Sequence, residues 1–325
     1  MKTIIRLGLA GLGLLTLPLA PAAHAQAGNY PEKPVTIIAD AAPGATPDVD
    51  ARFVAEGLSK IWGQQVIVIN HPGANGSIAA RIATDAVPDG YTLFMPALST
   101  FAALPSVAPN LPLKLPRDFV PIGYTAENPM FFAVTPSLGV STLAELIALA
   151  KKDPGKISIA VTGVGRLTHM TGLVFQDRAD ISLLPVPYNG GPAAALADVA
   201  GGRVSMIIEG YSGIVGSVKG GQVKLIAVAS AERLPQFPDL PTVAETIPGF
   251  AARGWQVLVA PLGTPAPIIA KVSADLAKVV TDPDFQKRLA NIGSYSRAMT
   301  PEQVLAFVQK EQDTWLPVLQ KISTK

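Results

Sequence analysis

Val35-Thr36-Ile37-Ile38, the loop Ala41-Ala42-Pro43-Gly44-Ala45-Thr46-Pro47-Asp48, an amphipathic run over residues 48–60, and Val66-Ile67-Val68-Ile69 together decide the fold. The two β-branched runs lack polar alternation, as strands buried on both faces do. Between them Val49, Phe53, Val54, Leu58 and Ile61 recur at helical spacing. Asp48 stands where a helix N-cap would. Strand, crossover helix and strand make a βαβ unit, which implies parallel pairing with helices over the sheet.

The same rhythm continues outward. Residues 77–86 read as a helix and Tyr91-Thr92-Leu93-Phe94-Met95 as a third strand. After a proline-rich stretch over 96–121 the pattern restarts, with strands over 131–134, 157–161, 184–186, 204–208 and 225–229. Helices are expected over 142–151, 167–178 and 192–200. Residues 235–248 hold four prolines and no periodicity, so they form a loop. One further strand over 256–260 precedes three helical patterns at 265–281, 284–291 and 301–321. That tail has too few strands for a domain of its own and returns to the first lobe. The expectation is an α/β chain of two parallel-rich sheets with helices on both faces and a cleft between two lobes. Lobe 1 comprises residues 26–126 and 253–325, and lobe 2 residues 127–252.

The first 25 residues read differently. Lys2 and Arg6 precede an apolar run over 7–19, and Ala23-His24-Ala25 offers a small-x-small cleavage site before Gln26. That is the layout of a secretory signal peptide, and the run is shorter than the roughly 20 residues that span a bilayer. The expectation is export to the periplasm with cleavage after Ala25. Lys2 and Arg6 account for the whole excess of 26 basic over 24 acidic side chains. A mature chain near neutrality lacks the basic surface that a nucleic-acid partner requires. The chain has no cysteine, which removes thiolate zinc sites and cysteine nucleophiles. His71 and His169 belong to no metal-ligating pattern, so neither metal nor cofactor is expected.

In open α/β sheets ligands bind where strands run into helices, and helix N-termini there present N–H groups. Five such loops stand out. Ala42, Pro43, Gly44, Ala45 and Thr46 form the first, and Thr162, Gly163, Arg166, Leu167 and Thr168 the second. Neither has the glycine spacing of a phosphate or dinucleotide loop. Ser99, Tyr188 with Asn189, and Glu209 mark the other three. Tyr188 and Asn189 either reach the cleft or hold their turn; Glu209 either receives a ligand group or caps the next helix. Arg166 is the informative residue, because a cation at a helix N-terminus opposes the macrodipole unless an anion lies near. It is expected to pair with a ligand carboxylate, unless Asp40 takes it internally. No G-x-S-x-G motif and no nucleophile–base pair appears, so binding is expected rather than ester hydrolysis.

These residues resemble a known family. Pro43-Gly44-Ala45-Thr46-Pro47-Asp48 followed by Ala51-Arg52 is similar to the P-G-G-x-x-D-x-x-A-R loop of the solute-binding proteins of tripartite tricarboxylate transporters, the Bordetella uptake gene family. The likeness continues through Asn70-His71-Pro72-Gly73-Ala74-Asn75-Gly76, Pro88-Asp89-Gly90-Tyr91-Thr92-Leu93 and Val186-Pro187-Tyr188-Asn189-Gly190, and late in the chain through Pro241-Thr242-Val243-Ala244-Glu245. The resemblance implies a two-lobed periplasmic binding protein, type II-like and monomeric. It would close on a small organic mono- or dicarboxylate, a dicarboxylate favoured, and deliver it to a two-subunit membrane permease. Presentation of the ligand to a membrane sensor is the alternative that the same fold allows. Departures from the family pattern are Asp40-Ala41 for a proline and an aromatic, Ala45 for the second glycine, His71 for an arginine, and Arg166 for a small residue.

Overall fold

The computed structural model describes residues 29–103, 115–188 and 190–323. The expected signal segment and Asn189 lie outside them. β1 (Val35–Ala39), α1 (Thr46–Trp62), β2 (Val66–Asn70), α2 (Ser77–Thr84) and β3 (Thr92–Met95) follow the expected alternation. β1 lies between β2 and β3, parallel to both. α1 buries Ala51, Val54, Ala55 and Leu58, whereas Ile61 at its end is exposed.

Residues 96–121 hide the main departure from the sequence reading. β4 spans Phe119–Val134, 16 residues long, and starts well before residue 131. Pro121, Gly123 and Pro129 mask it, since proline removes a ladder donor and glycine weakens a strand. The strand accommodates Pro121 and Gly123 by a register shift between them. From Phe119 to Pro129 it pairs antiparallel with β9 (Arg253–Pro261). From Met130 to Val134 it pairs antiparallel with β7 (Met206–Gly210), and from Phe131 with β8 (Lys224–Val228). One strand therefore belongs to two sheets. The sheets are mixed rather than parallel-rich, because β4 and β9 run against their neighbours.

The second sheet adds β5 (Ser158–Val161) and β6 (Leu184–Pro187), parallel to each other, with β7 parallel to β5. Pro185 and Pro187 blunt the β6 edge. Its helices are α3 (Leu143–Lys152), α4 (Leu167–Ala179), α5 (Pro192–Ala200) and α6 (Tyr211–Lys219). The closing helices α7 (Ala266–Thr281) and α8 (Pro283–Asn291) share a core with α1 and the strands of the first sheet. Val304 and Val308 of α9 (Pro301–Ser323) join the apolar cluster that runs through both sheets along β4. Trp255, fully buried in that cluster, also donates from Nε1 to Glu311 at 2.9 Å.

A polar knot sits where β4 leaves the first sheet. Asn128 Nδ2 donates to Asp50 Oδ2 at 2.8 Å and to Ser294 Oγ at 2.6 Å, and its Oδ1 accepts from Gln256 Nε2 at 2.9 Å. Asp50 is fully buried and forms no ion pair among the described residues, and burial pushes its carboxyl up to about 7. The folded state thus binds this proton more tightly than the unfolded chain does. The Asp50 contribution to stability is most favourable below about pH 4 and is lost as pH rises to about 7. Asp50→Asn mimics the protonated carboxyl. Its melting temperature is expected to exceed that of wild type by more at pH 8 than at pH 5. Thermal denaturation across that range checks this, and a constant difference between the two proteins at all pH values contradicts it.

Candidate functional site

The carboxyl ends of both sheets open onto one cavity of about 550 Å³. Four helices begin around it. α1 starts after Ala45, α4 after Arg166, α5 after Gly191 and α6 after Gly210, and none has a side-chain cap. Elsewhere α3 is capped by Thr142 and α8 by Asp282, while α2 and α7 also start without a side-chain cap. An uncapped start leaves the first-turn N–H groups to another acceptor. Ala45, Thr46 and Pro47 of the first start and Arg166, Leu167 and Thr168 of the second line the cavity.

Asp48 shapes the first loop, though not as the cap its position implied. Thr46 already opens the helix, and Asp48 lies in its first turn. Its Oδ2 accepts from Gly44 N–H at 2.8 Å and its Oδ1 from Asn70 Nδ2 at 2.8 Å. Arg52 pairs with it from the next turn at 2.9 Å. Asn70 Nδ2 also donates to Ala41 carbonyl O at 3.0 Å. The bend that the family loop requires is thus pinned from behind, and the cavity side stays free of charge from Asp48.

Arg166 does not stand open to a ligand. Its guanidinium donates to Asp40 carbonyl O at 3.1 Å and lies 3.3 Å from Asp40 Oδ1. Asp40 Oδ2 accepts from Ala97 N–H at 3.1 Å and from the Thr100 hydroxyl. Arg166 sits at the start of α4 in the second sheet and Asp40 just beyond β1 in the first, so the pair bridges the cleft. The side chain reaches there by folding over Gly163, where an added Cβ would lie 2.8 Å from Arg166 Cδ. The anion that compensates the helix start is therefore supplied by the protein itself.

On the same wall Thr162 Oγ1 lies 3.1 Å from Thr168 Oγ1 and donates to Glu209 Oε2 at 2.8 Å. Glu209 Oε1 accepts from Gly210 N–H at 3.0 Å. Burial pushes the Glu209 carboxyl up, opposed by those two hydrogen bonds and by Arg166. His169 accepts at Nδ1 from Gly165 N–H at 3.1 Å, and burial holds its pKa down, so it braces the loop as a neutral ring.

Of the residues singled out in the sequence, Ala42, Ala45, Thr46, Ser99, Thr162, Gly163, Arg166, Leu167, Thr168 and Glu209 line this cavity. Pro43 and Gly44 sit at the exposed outer bend. Tyr188 turns away, its hydroxyl donating to Asp198 on the following helix, so it holds its turn instead of reaching the cleft. The wall also includes Asn75, Asn128, Met130 and Gln256, which the strand-to-helix rule missed. Asn128 and Gln256 lie inside strands at the lobe crossing. Gln256 carried a signal as an amide in an otherwise apolar run, whereas Asn128, next to Glu127, carried none.

A family description, Tripartite tricarboxylate transporter family receptor, matches residues 50–324. The chain belongs to this family of solute-binding receptors. Among its relatives, BugT of Bordetella pertussis is 31% identical over 98% of each chain. The periplasmic binding protein BugD superposes with a TM-score of 0.82 at 32% identity, covering 90% of this chain and 99% of that one. R. palustris Rpa4515, solved with adipate, superposes with a TM-score of 0.86 at 29% identity, covering 90% and 98%. The receptor therefore has the α/β periplasmic binding protein fold, and a small dicarboxylate occupies one neighbour.

The receptor's lobes touch across the cleft at a second point, where Ser212 Oγ of α6 donates to Thr46 Oγ1 of α1 at 2.7 Å. A Cβ added at Gly210 would lie 2.3 Å from that Thr46 oxygen, so only glycine permits this approach. The chain has no native cysteine. The double variant Thr46→Cys with Ser212→Cys is expected to form one intramolecular disulfide under mild oxidation, and adding Gly210→Ala should suppress it. Counting free thiols checks this; two persistent thiols in the double variant contradict the contact.

Proposed function

We propose that this receptor captures a small organic carboxylate between its lobes and hands it to a two-subunit membrane permease, acting as a periplasmic monomer without catalysis. The observation that carries the reading is the pair of uncapped helix starts, α1 and α4, facing one cavity from opposite sheets. The α4 start offers the N–H groups of Leu167 and Thr168, and the α1 start that of Thr46 alone, since Pro47 has no N–H and Asp48 N–H is given to Ala45 carbonyl O; each presents a partial positive end to an anion. The adipate held by Rpa4515 supports a carboxylate as that anion. The lobes are proposed as residues 26–126 with 253–325, and 127–252, turning on β4 and on the chain that enters β9. Ala42, Ala45, Thr46, Thr162, Gly163, Leu167 and Thr168 are proposed as the contact set. With Arg166 committed to Asp40, preference for a second anionic end rests on backbone donors and not on that side chain.

Calorimetric titration with mono- and dicarboxylates of two to six carbons tests this. One site per chain and a rise in melting temperature with ligand concentration are expected, since ligand that binds only the folded state stabilises it. Failure of every carboxylate to bind folded protein overturns the reading. Thr168→Ala removes one hydroxyl from the Thr168–Thr162–Glu209 chain and is expected to weaken binding by about 0.5–1.5 kcal/mol. Complete loss of binding with an unchanged melting temperature would contradict a site built on shared backbone donors.

A further inference from the structure

The side chains of the cavity wall are richer in acceptors than a plain diacid requires. Among the described residues, Asp40 and Glu209 are its two carboxylates and Arg166 its one guanidinium. Arg166 is already held by Asp40, at 3.3 Å. Asp40 is saturated further by Ala97 N–H and the Thr100 hydroxyl. Glu209, only 5% exposed, forms no ion pair among the described residues. Its two hydrogen bonds, from Thr162 and Gly210, use one position on each oxygen. A carboxylate has about four such positions, so each Glu209 oxygen can accept once more.

Gln256 points the same way independently. It lines the cavity, is 1% exposed, and its Oε1 has no donor. The amide cannot simply turn over, because Nε2 is committed to Asn128 Oδ1, and Asn128 Nδ2 is committed to Asp50 and Ser294. A buried acceptor without a donor is destabilising, and a buried carboxylate without a cation more so.

We propose that the ligand is an amino-carboxylate, its carboxylate held at the α1 and α4 starts and its ammonium received by Glu209, with Gln256 Oε1 as an accessory acceptor. The inference rests on the carboxylate-receptor reading above and narrows it. An ammonium supplies both a donor for the unused acceptors and a second positive charge on a wall where Arg166 alone faces Asp40 and Glu209. A hydroxyl supplies a donor only, leaving a buried charge uncompensated. Burial pushes the Glu209 carboxyl up although Arg166 and two hydrogen bonds oppose it, and an ammonium beside it would oppose that push further.

The test compares matched ligands on the mature protein: each unbranched mono- or diacid against its 2-hydroxy and 2-amino counterparts of equal length. At the chain length that binds best, the amino form is expected to bind at least tenfold tighter than the other two. Glu209→Gln, which keeps the size and one acceptor oxygen, is expected to bring that ratio close to one. The ratio is taken within each protein, so a general loss of affinity in the variant does not affect it. The wild-type comparison stands by itself if the variant does not fold. Plain or hydroxy acids that bind as tightly as the amino form overturn this inference and leave the carboxylate reading intact. Binding by no acid, amino forms included, overturns the carboxylate reading and this inference with it. An amino preference that survives Glu209→Gln unchanged overturns the assignment to Glu209.

Discussion

The pairing of β4 with two sets of partners is the constraint on which the rest depends. Its first eleven residues, Phe119 to Pro129, lie along β9, and from Met130 it lies along β7 and then β8. A hydrogen-bonded strand is stiff along its length, so the two sheets cannot drift apart at that point. They can turn about it. The same strand carries Asn128 into the polar knot and Met130 into the cavity wall, one at each side of the change of partners. Capture in a cleft needs a firm axis and a soft mouth, and in the proposed closure this strand would provide the axis.

The mouth is defined by contacts that glycine and small side chains allow. Thr46 meets Ser212 beside Gly210, and Asp40 meets Arg166 over Gly163. Both contacts join the loop after β1 to the second sheet. A ligand that bridges α1 and α4 acts across the same gap and with the same sense. The internal Asp40–Arg166 pair supplies part of the cross-cleft attraction that a ligand would otherwise have to provide. Hinge closure about a ligand is the common mode of two-lobed binding proteins, and here the protein's own charges bias it.

Much of this was legible in the residues. The βαβ rhythm of 35–69 fixed the layer order, and the loops around Thr46 and Thr168 were read as cavity walls because they join strand ends to helix starts. What escaped notice has physical reasons. Pro121 and Pro129 concealed β4, since local propensity opposes a strand that its neighbours enforce. Asp48 looked like a cap because its type fits a cap; only the folded loop shows it bonding back to Gly44 N–H and sideways to Asn70. Tyr188 could have reached the cleft or held its turn, and only its bond to Asp198 in the folded chain decides for the turn. Arg166 was expected on a ligand unless Asp40, 126 positions away, took it internally, and that second outcome is the one the structure holds.

Closure around a carboxylate is the central claim, and small-angle X-ray scattering tests it most directly. The mature protein is measured alone and with the acid that most raises its melting temperature, at saturation. The account expects the radius of gyration to fall on binding, and expects the cross-linked Thr46→Cys, Ser212→Cys variant to show the smaller value with no ligand present. A ligand that saturates the protein without any contraction, while the cross-linked form is measurably smaller than the free one, would contradict it.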